Sequence, residues 1–279
     1  MNYMIKINIL LMMEKDEIVP KIIFIIPYRD RKEEYILFLK KMNELLSLMD
    51  KNEYEFLFIH QCDERDFCRG GLKNIGFLVV KNKYPESYLD ITLIFNDIDT
   101  YPSESNLITD YSTRQGIIKH FYGYNFALGG IVSINCRDFE MINGFPNYWG
   151  WGFEDNMLNQ RVINANLIID RSQFYRIDDK RIIQLNTSPL RTVNRNEFDR
   201  FIQRNQEGIL SITDLSYSIE KNISTEINEN IFIINVWKFK TEFECKQQFN
   251  TIYDVRSSTP PFQVGYSGKR RSTMNLVHY

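Results

Sequence analysis

Lys21-Ile22-Ile23-Phe24-Ile25-Ile26-Pro27 is a short, β-branched and uninterrupted apolar run closed by a proline. Such a run reads as a strand buried on both faces of a parallel sheet. The polar turn Tyr28-Arg29-Asp30-Arg31 follows at its carboxyl end. Leu39, Met42, Leu46 and Met49 then recur at helical spacing and predict a helix over 32–49. Tyr54-Glu55-Phe56-Leu57-Phe58-Ile59-His60 repeats the strand pattern, and 71–82 repeats the helix, with Leu72, Ile75 and Val79 on one face. Residues 91–96 form a third apolar run, which delivers Asp97-Ile98-Asp99 at its end. This alternation predicts an α/β fold on a parallel sheet. Ligands of such sheets sit beyond the carboxyl ends of the strands, where Arg29, Arg31, Asp97 and Asp99 all fall.

Further along, Gly129-Gly130 lies inside the apolar stretch 125–133, suggesting a strand that a ligand or a second backbone approaches closely. Asn143-Gly144-Phe145-Pro146-Asn147-Tyr148-Trp149-Gly150-Trp151-Gly152-Phe153-Glu154-Asp155-Asn156 packs tryptophans, glycines and two adjacent acids ahead of a helix over 154–165. Short strands are expected at 167–170 and 180–185, a helix opening at Phe198-Asp199-Arg200-Phe201, and an antiparallel pair from 215–219 and 231–239. No clear pattern follows from 240 onward, and 267–273 reads as loose. The organisation expected is an N-terminal extension (1–20), one domain (21–239) and a C-terminal tail (240–279).

A chain of 279 residues, 43% hydrophobic and 25% charged, has the composition of a globular protein with one large core. A net charge of −2 gives no reason to expect a nucleic-acid partner. Cys62, Cys68, Cys136 and Cys245 form no CxxC pair and have no histidine at metal-finger spacing, which argues against a zinc site. The N-terminal apolar run is interrupted by Lys6 and Asn8 and falls short of the ~20 residues of a spanning helix. No small-residue cleavage site follows it, so neither a signal peptide nor a membrane anchor is expected.

Three groups carry chemistry. Asp97 and Asp99 leave a strand on the same face, and carboxylate oxygens suit a hard divalent cation that neutralises a diphosphate. Two solvated surface acids, or the DxDx[TV] nucleophile loop of haloacid-dehalogenase-like phosphatases, are competing readings; Tyr101 stands where that loop needs Thr or Val. Arg29 and Arg31 can bind phosphate bidentately, with Tyr28 bordering a base, although a solvated pair of arginines reads as well. Trp149 and Trp151 offer stacking faces for sugar rings, with core packing the favoured reading for Trp149. Glu154 and Asp155 place carboxylates at a helix start, where they abstract a proton or simply complement the helix dipole.

The Asn143 to Asn156 segment closely resembles the Gly-Phe-Pro-(Asn)-Asn-Tyr-Trp-Gly-Trp-Gly-Gly-Glu-Asp signature of the β-1,4-galactosyltransferase family. Three further motifs agree in order over 21–239. Ile25-Ile26-Pro27-Tyr28-Arg29-Asp30-Arg31 resembles Ile-Ile-Pro-Phe-Arg-Asn-Arg. Phe67-Cys68-Arg69-Gly70-Gly71-Leu72-Lys73-Asn74-Ile75-Gly76-Phe77 resembles Phe-Asn-Arg-Ala-Lys-Leu-Leu-Asn-Val-Gly-Phe, with Ile59-His60-Gln61 upstream in place of Ile-Asn-Gln. Gly129-Gly130 matches the pair in Phe-Gly-Gly-Val-Ser.

The resemblance implies a GT-A-type fold, a Rossmann-like mixed sheet with a C-terminal antiparallel extension. It implies an inverting glycosyltransferase that moves a hexose or N-acetylhexosamine from a UDP-sugar to a sugar hydroxyl of a glycan or glycoconjugate acceptor. Asp155 is then the base and Glu154 orients the sugar. Pro27, Tyr28, Arg29, Arg31, Phe67, Arg69, Asp97, Ile98, Asp99, Gly129, Gly130 and Trp151 line the donor, and Asp99 holds a divalent cation, manganese or magnesium. A non-catalytic sugar- or nucleotide-binding relative is the alternative.

Departures from the pattern are informative. Ala127-Leu128 replaces Tyr-Phe and leaves more room beside the donor sugar. Phe153 replaces a glycine, and Asn156 an acid that contacts the acceptor. The family's metal-binding His falls on Gln184 or Leu185, and its earlier ligand on Arg181 or Ile182. Asp178, Asp179 or Asn186 are the oxygen donors available nearby, and Arg181 offers positive charge instead. Thr92 replaces a bridging cysteine. With no anchor expected either, the expected location is the cytoplasm or another reducing compartment, where the sequons at Asn186 and Asn222 would be chance matches.

Overall fold

A computed structural model describes residues 18–185, 189–203, 206–221, 230–257, 259 and 261–262. Most of the N-terminal extension, both sequons, Asn186 and the stretch 267–273 lie outside the described residues. In chain order the elements are β1 (Ile22–Tyr28), α1 (Lys32–Leu45), β2 (Tyr54–Gln61), α2 (Arg69–Lys83), β3 (Thr92–Asn96), β4 (Thr100–Pro102), β5 (Ile117–Gly123), β6 (Ile131–Asn135) and α3 (Cys136–Met141). There follow α4 (Glu154–Asn164), β7 (Ile168–Asp170), β8 (Tyr175–Arg176), β9 (Ile182–Gln184), β10 (Leu190–Asn194), α5 (Arg195–Ile202), β11 (Thr213–Lys221), β12 (Ile231–Lys240) and β13 (Asn250–Asp254).

The main sheet runs β11-β12-β2-β1-β3-β6-β5-β7, with β8 also paired to β5. β12, β2, β1 and β3 are mutually parallel, whereas β6 runs antiparallel to both β3 and β5. The sheet is therefore mixed, as expected. Alternate side chains of the apolar runs enter opposite layers. Ile23, Ile25, Leu57 and Ile59 join α2, α3 and α4 in one core; Phe24, Ile26, Phe56 and Phe58 join α1 in the other. Burial on both faces is why β1 and β2 lack a polar alternation.

The β11–β12 antiparallel pair is present, and β12 is also stitched in parallel to β2, from Ile231 opposite Phe56 to Val236 opposite Gln61. Three expectations need correction. α1 ends at Leu45, and Leu46 and Met49 continue only as turns. Strand β6 begins at Ile131, so Gly129-Gly130 belong to the loop that feeds it. Beyond 240, β13 pairs with β10, Tyr253 opposite Arg191. Its alternation is too short to stand out from the sequence.

Candidate active site

The parallel strands deliver their carboxyl ends to one rim. Tyr28 ends β1 opposite His60 of β2, and β3 ends at Asn96, just before Asp97 and Asp99. Arg69 is the first residue of α2 and lies across this rim. Its Nε and one terminal nitrogen donate to Asp97 Oδ1 at 2.9 and 2.6 Å. The other terminal nitrogen donates to Glu154 Oε1 at 2.6 Å and to both Asp155 oxygens at 2.9 Å. Lys73, one helical turn on, donates to Asp155 Oδ1 at 3.3 Å. One guanidinium thus joins the DxD segment to the acid pair that opens α4.

These contacts separate the two acids electrostatically. Burial raises the Glu154 carboxyl, and the Asp155 charge raises it further. Burial pushes Asp155 up as well, but Arg69 and Lys73 outweigh it and hold the carboxyl below its ordinary value. Asp155 is therefore ionised at neutral pH. Glu154 Oε2 is buried and has no hydrogen-bond partner among the described residues, an arrangement that costs about 1–3 kcal/mol unless a donor arrives.

The Trp-Gly-Trp segment earns its composition through backbone conformation. Gly150 and Gly152 have φ of +91° and +110°, and Phe153, the N-cap of α4, has φ of +72°. A glycine in the family pattern is thus replaced by a residue that keeps the left-handed backbone, with its ring 4.7 Å from Phe201 and 5.1 Å from Phe198. Trp149 is core, stacked on Phe239 at 5.3 Å. Trp151 is 42% exposed and stacks against Tyr253 at 6.0 Å.

Among the donor-site candidates, Arg29 packs over Phe67 at 5.3 Å and donates to the Arg65 carbonyl. Arg31 pairs with Glu34, and Tyr28 stands 5.0 Å from His60. Pro27 sits in register with Ile59, one residue inside the rim. The Ile98 side chain is buried in the α1-side core, because the residue between the two acids points away from them. Any part that Ile98 plays in ligand binding runs through its backbone.

The glycine pair answers to the protein itself. A Cβ on Gly129 would meet Asp155 Oδ2 at 2.2 Å, and one on Gly130, at φ +72°, would meet the Tyr122 carbonyl at 2.4 Å. A second part of the chain makes the close approach.

Asp99 fits a hard cation. Burial and then the neighbouring Asp97 raise its carboxyl, and Oδ1 accepts from Thr100 Oγ1 at 3.1 Å. The backbone N–H of Leu185 donates to the Asp99 carbonyl at 2.8 Å, and Gln184 pairs opposite Thr100. The Gln184–Leu185 strand therefore does lie beside the acids, with Gln184 Oε1 accepting from Tyr122 Oη at 3.1 Å. Arg181 is exposed and paired with Asp179. Among the described residues no cluster of three or more His, Cys, Asp or Glu is placed to hold a metal.

Three residues escaped the sequence reading. Lys73 is hidden on a helix whose apolar face is defined by its neighbours. Arg191 on β10, half-buried, interacts electrostatically with Asp99, Arg31 and Asp97. Tyr253 lies in the segment without pattern. For Lys73 the signal was a charge where the resembling motif has Leu; for the other two there was none.

Comparison with known proteins bears on the family and the fold. Residues 15–110 match the N-terminal region of glycosyl transferase group 7, and residues 118–185 match a model described as the N-terminal domain of galactosyltransferase. The xylosylprotein 4-β-galactosyltransferase of Caenorhabditis elegans is 28% identical over 231 residues, 77% of this chain and 78% of that protein. β-1,4-Galactosyltransferase 7 of Drosophila melanogaster is 30% identical over 164 residues, 56% of this chain and 48% of that one. The crystal structure of the catalytic domain of the Drosophila β-1,4-galactosyltransferase 7 with xylobiose superposes with a TM-score of 0.63 at 21% identity, covering 82% of this chain and 97% of that chain, and has the same fold. Tyr101, the residue at odds with a phosphatase loop, is buried in the core beside α1. Among the described residues no helix is long and apolar enough to cross a membrane. The chain is a divergent glycosyltransferase of the β-1,4-galactosyltransferase family.

Proposed function

We propose that this enzyme transfers a hexose or N-acetylhexosamine, galactose first among them, from a UDP-sugar to a hydroxyl of a glycan or glycoconjugate acceptor, with inversion at the anomeric carbon. The observation that carries the reading is Arg69, which joins Asp97 on the donor side to Glu154 and Asp155 on the reacting side. Asp155 takes the proton of the acceptor hydroxyl. The oxygen attacks the anomeric carbon, and the bond to the diphosphate breaks with its electron pair leaving on UDP. Arg29, Arg31 and Arg69 stabilise the charge that develops on the departing phosphates. Pro27, Tyr28 and Phe67 border the base, and the unpartnered oxygen of Glu154 accepts from a hydroxyl of the donor sugar.

Asp99 would hold a divalent cation, manganese or magnesium, which would supply charge neutralisation of the diphosphate. Exposed aromatics supply the acceptor surface, since sugar rings pack their C–H faces on aromatic planes. Trp151 and Tyr253 form one stacked pair; Tyr124 and Phe126, stacked at 5.1 Å in the loop before Gly129, form another. Ala127 and Leu128 leave space beside the donor sugar. All four cysteines are free thiols, which supports a reducing compartment as the enzyme's location.

The relatives suggest the first probes. One is named for action on xylosylprotein, and a Drosophila mutant structure contains manganese, UDP-Gal and xylobiose. The test measures UDP release and thermal stability with UDP-galactose and other UDP-sugars, with xylobiose and other acceptors, in Mn²⁺ or Mg²⁺. UDP-sugar at a hundred times its Kd stabilises the fold by about 2.7 kcal/mol. Oxygen donors make the preference for manganese shallow. Absence of stabilisation and of UDP release with every donor would refute the proposal.

A further inference from the structure

Lys73 is 1% exposed, and its ammonium has a single hydrogen-bond partner among the described residues, Asp155 Oδ1 at 3.3 Å. Two aromatic rings also border it. Nζ lies 4.4 Å from the centre of the Phe145 ring and 5.8 Å from that of Phe95. A lysine in such a place is poorly accounted for by stability. Desolvation of the cation offsets most of what one long ion pair returns, and replacing buried pairs by well-packed apolar groups is often neutral or stabilising. The family pattern quoted above has Leu here, the residue that packing alone would favour.

The arrangement of charge around Lys73 gives it a different role. Arg69 on the same face of α2, Asp155 and Glu154 on α4, and Asp97 beyond β3 are the charged groups that face it; His120 of β5 adds a weaker interaction with Asp155. Asp155 thus has two counter-ions, and they differ in what else they can reach. Arg69 also binds Asp97 at the donor rim, so an incoming diphosphate competes for it. Lys73 is buried behind the acid pair, against Phe145. We propose that Lys73 is a positioning residue, the counter-ion that keeps Asp155 ionised and in its reactive rotamer when the donor draws Arg69 away.

This rests on Asp155 being the base, and the test separates the two claims. The carboxyl ¹³C resonance of Asp155, assigned by its loss in Asp155→Asn, is titrated in the full chain with UDP and Mg²⁺ bound. Wild type and Lys73→Leu are compared, with Lys73→Met as the variant that keeps the unbranched stem should Leu pack poorly. Removing a cation stabilises the protonated acid. The Asp155 pKa therefore rises by roughly one unit or more, and the acid limb of the rate profile for UDP release from UDP-galactose moves to higher pH with it. The rise is smaller without UDP, where Arg69 still donates to both oxygens. An Asp155 pKa that stays put in both variants, with UDP bound, overturns the role of Lys73 even if Asp155→Asn is inactive. Full activity of Asp155→Asn overturns the base assignment instead.

Discussion

Gly129 lies so close to Asp155 that a single methyl group becomes an active-site perturbation. Its missing Cβ is the space in which Asp155 Oδ2 sits, and the Leu128 N–H donates to the Asp155 carbonyl at 3.0 Å. Gly129→Ala therefore has to displace the carboxylate or the loop by an ångström or so. A reacting group misplaced on that scale loses about 10²-fold in rate. The expected outcome is a fall in kcat of that order with UDP affinity close to wild type, read by steady-state kinetics and calorimetry. Wild-type kcat in Gly129→Ala would mean that Asp155 does not work from this position. The sequence identified glycines 129 and 130 as a close approach, but could not say to what, because the partner is a side chain 26 positions away, a consequence of the fold.

The N-terminus of α4 shows how an element keeps its function after losing its favoured residue. A β-carbon at positive φ costs ~1–2 kcal/mol, and Phe153 bears that cost while stacking its ring on α5. Restoring glycine relieves the strain but removes aromatic packing of larger value and adds backbone freedom to the unfolded chain. Phe153→Gly is therefore expected to lower stability by about 1 kcal/mol, or ~2–4 °C in Tm, with transfer retained. A rise in Tm would show that the strain dominates. The substitution itself was legible in the motif. What it leans on is not, since Phe201 belongs to α5 and no local signal sets the register between α4 and α5. The metal-side element behaved similarly. Counting leaves the ligand position between Gln184 and Leu185, and the structure brings both beside the acids, Gln184 opposite Thr100 and the Leu185 N–H on the Asp99 carbonyl.

At the scale of the molecule, the strands and helices of the N-terminal half were readable because β1, β2 and β3 are buried on both faces and need unbroken apolar runs. The joining of β12 to β2 was not readable. Parallel pairing across so long a separation leaves no local signature, and β13 is short and half-exposed. The site candidates come from the motifs, but the electrostatic linkage between them is not legible in the sequence, because it joins residues of α2, α4 and the end of β3. That linkage depends on the whole fold, which brings α2, the end of β3 and the start of α4 to one rim. The measurement that tests it most directly is the behaviour of Asp155→Asn, isosteric but unable to accept the proton. UDP binding by calorimetry should stay near wild type, because the donor arginines and Asp99 are untouched. Transfer from UDP-galactose to acceptor should fall ~10²–10⁴-fold, the usual contribution of a general base. Comparable turnover in mutant and wild type, with UDP bound equally by both, would contradict the account.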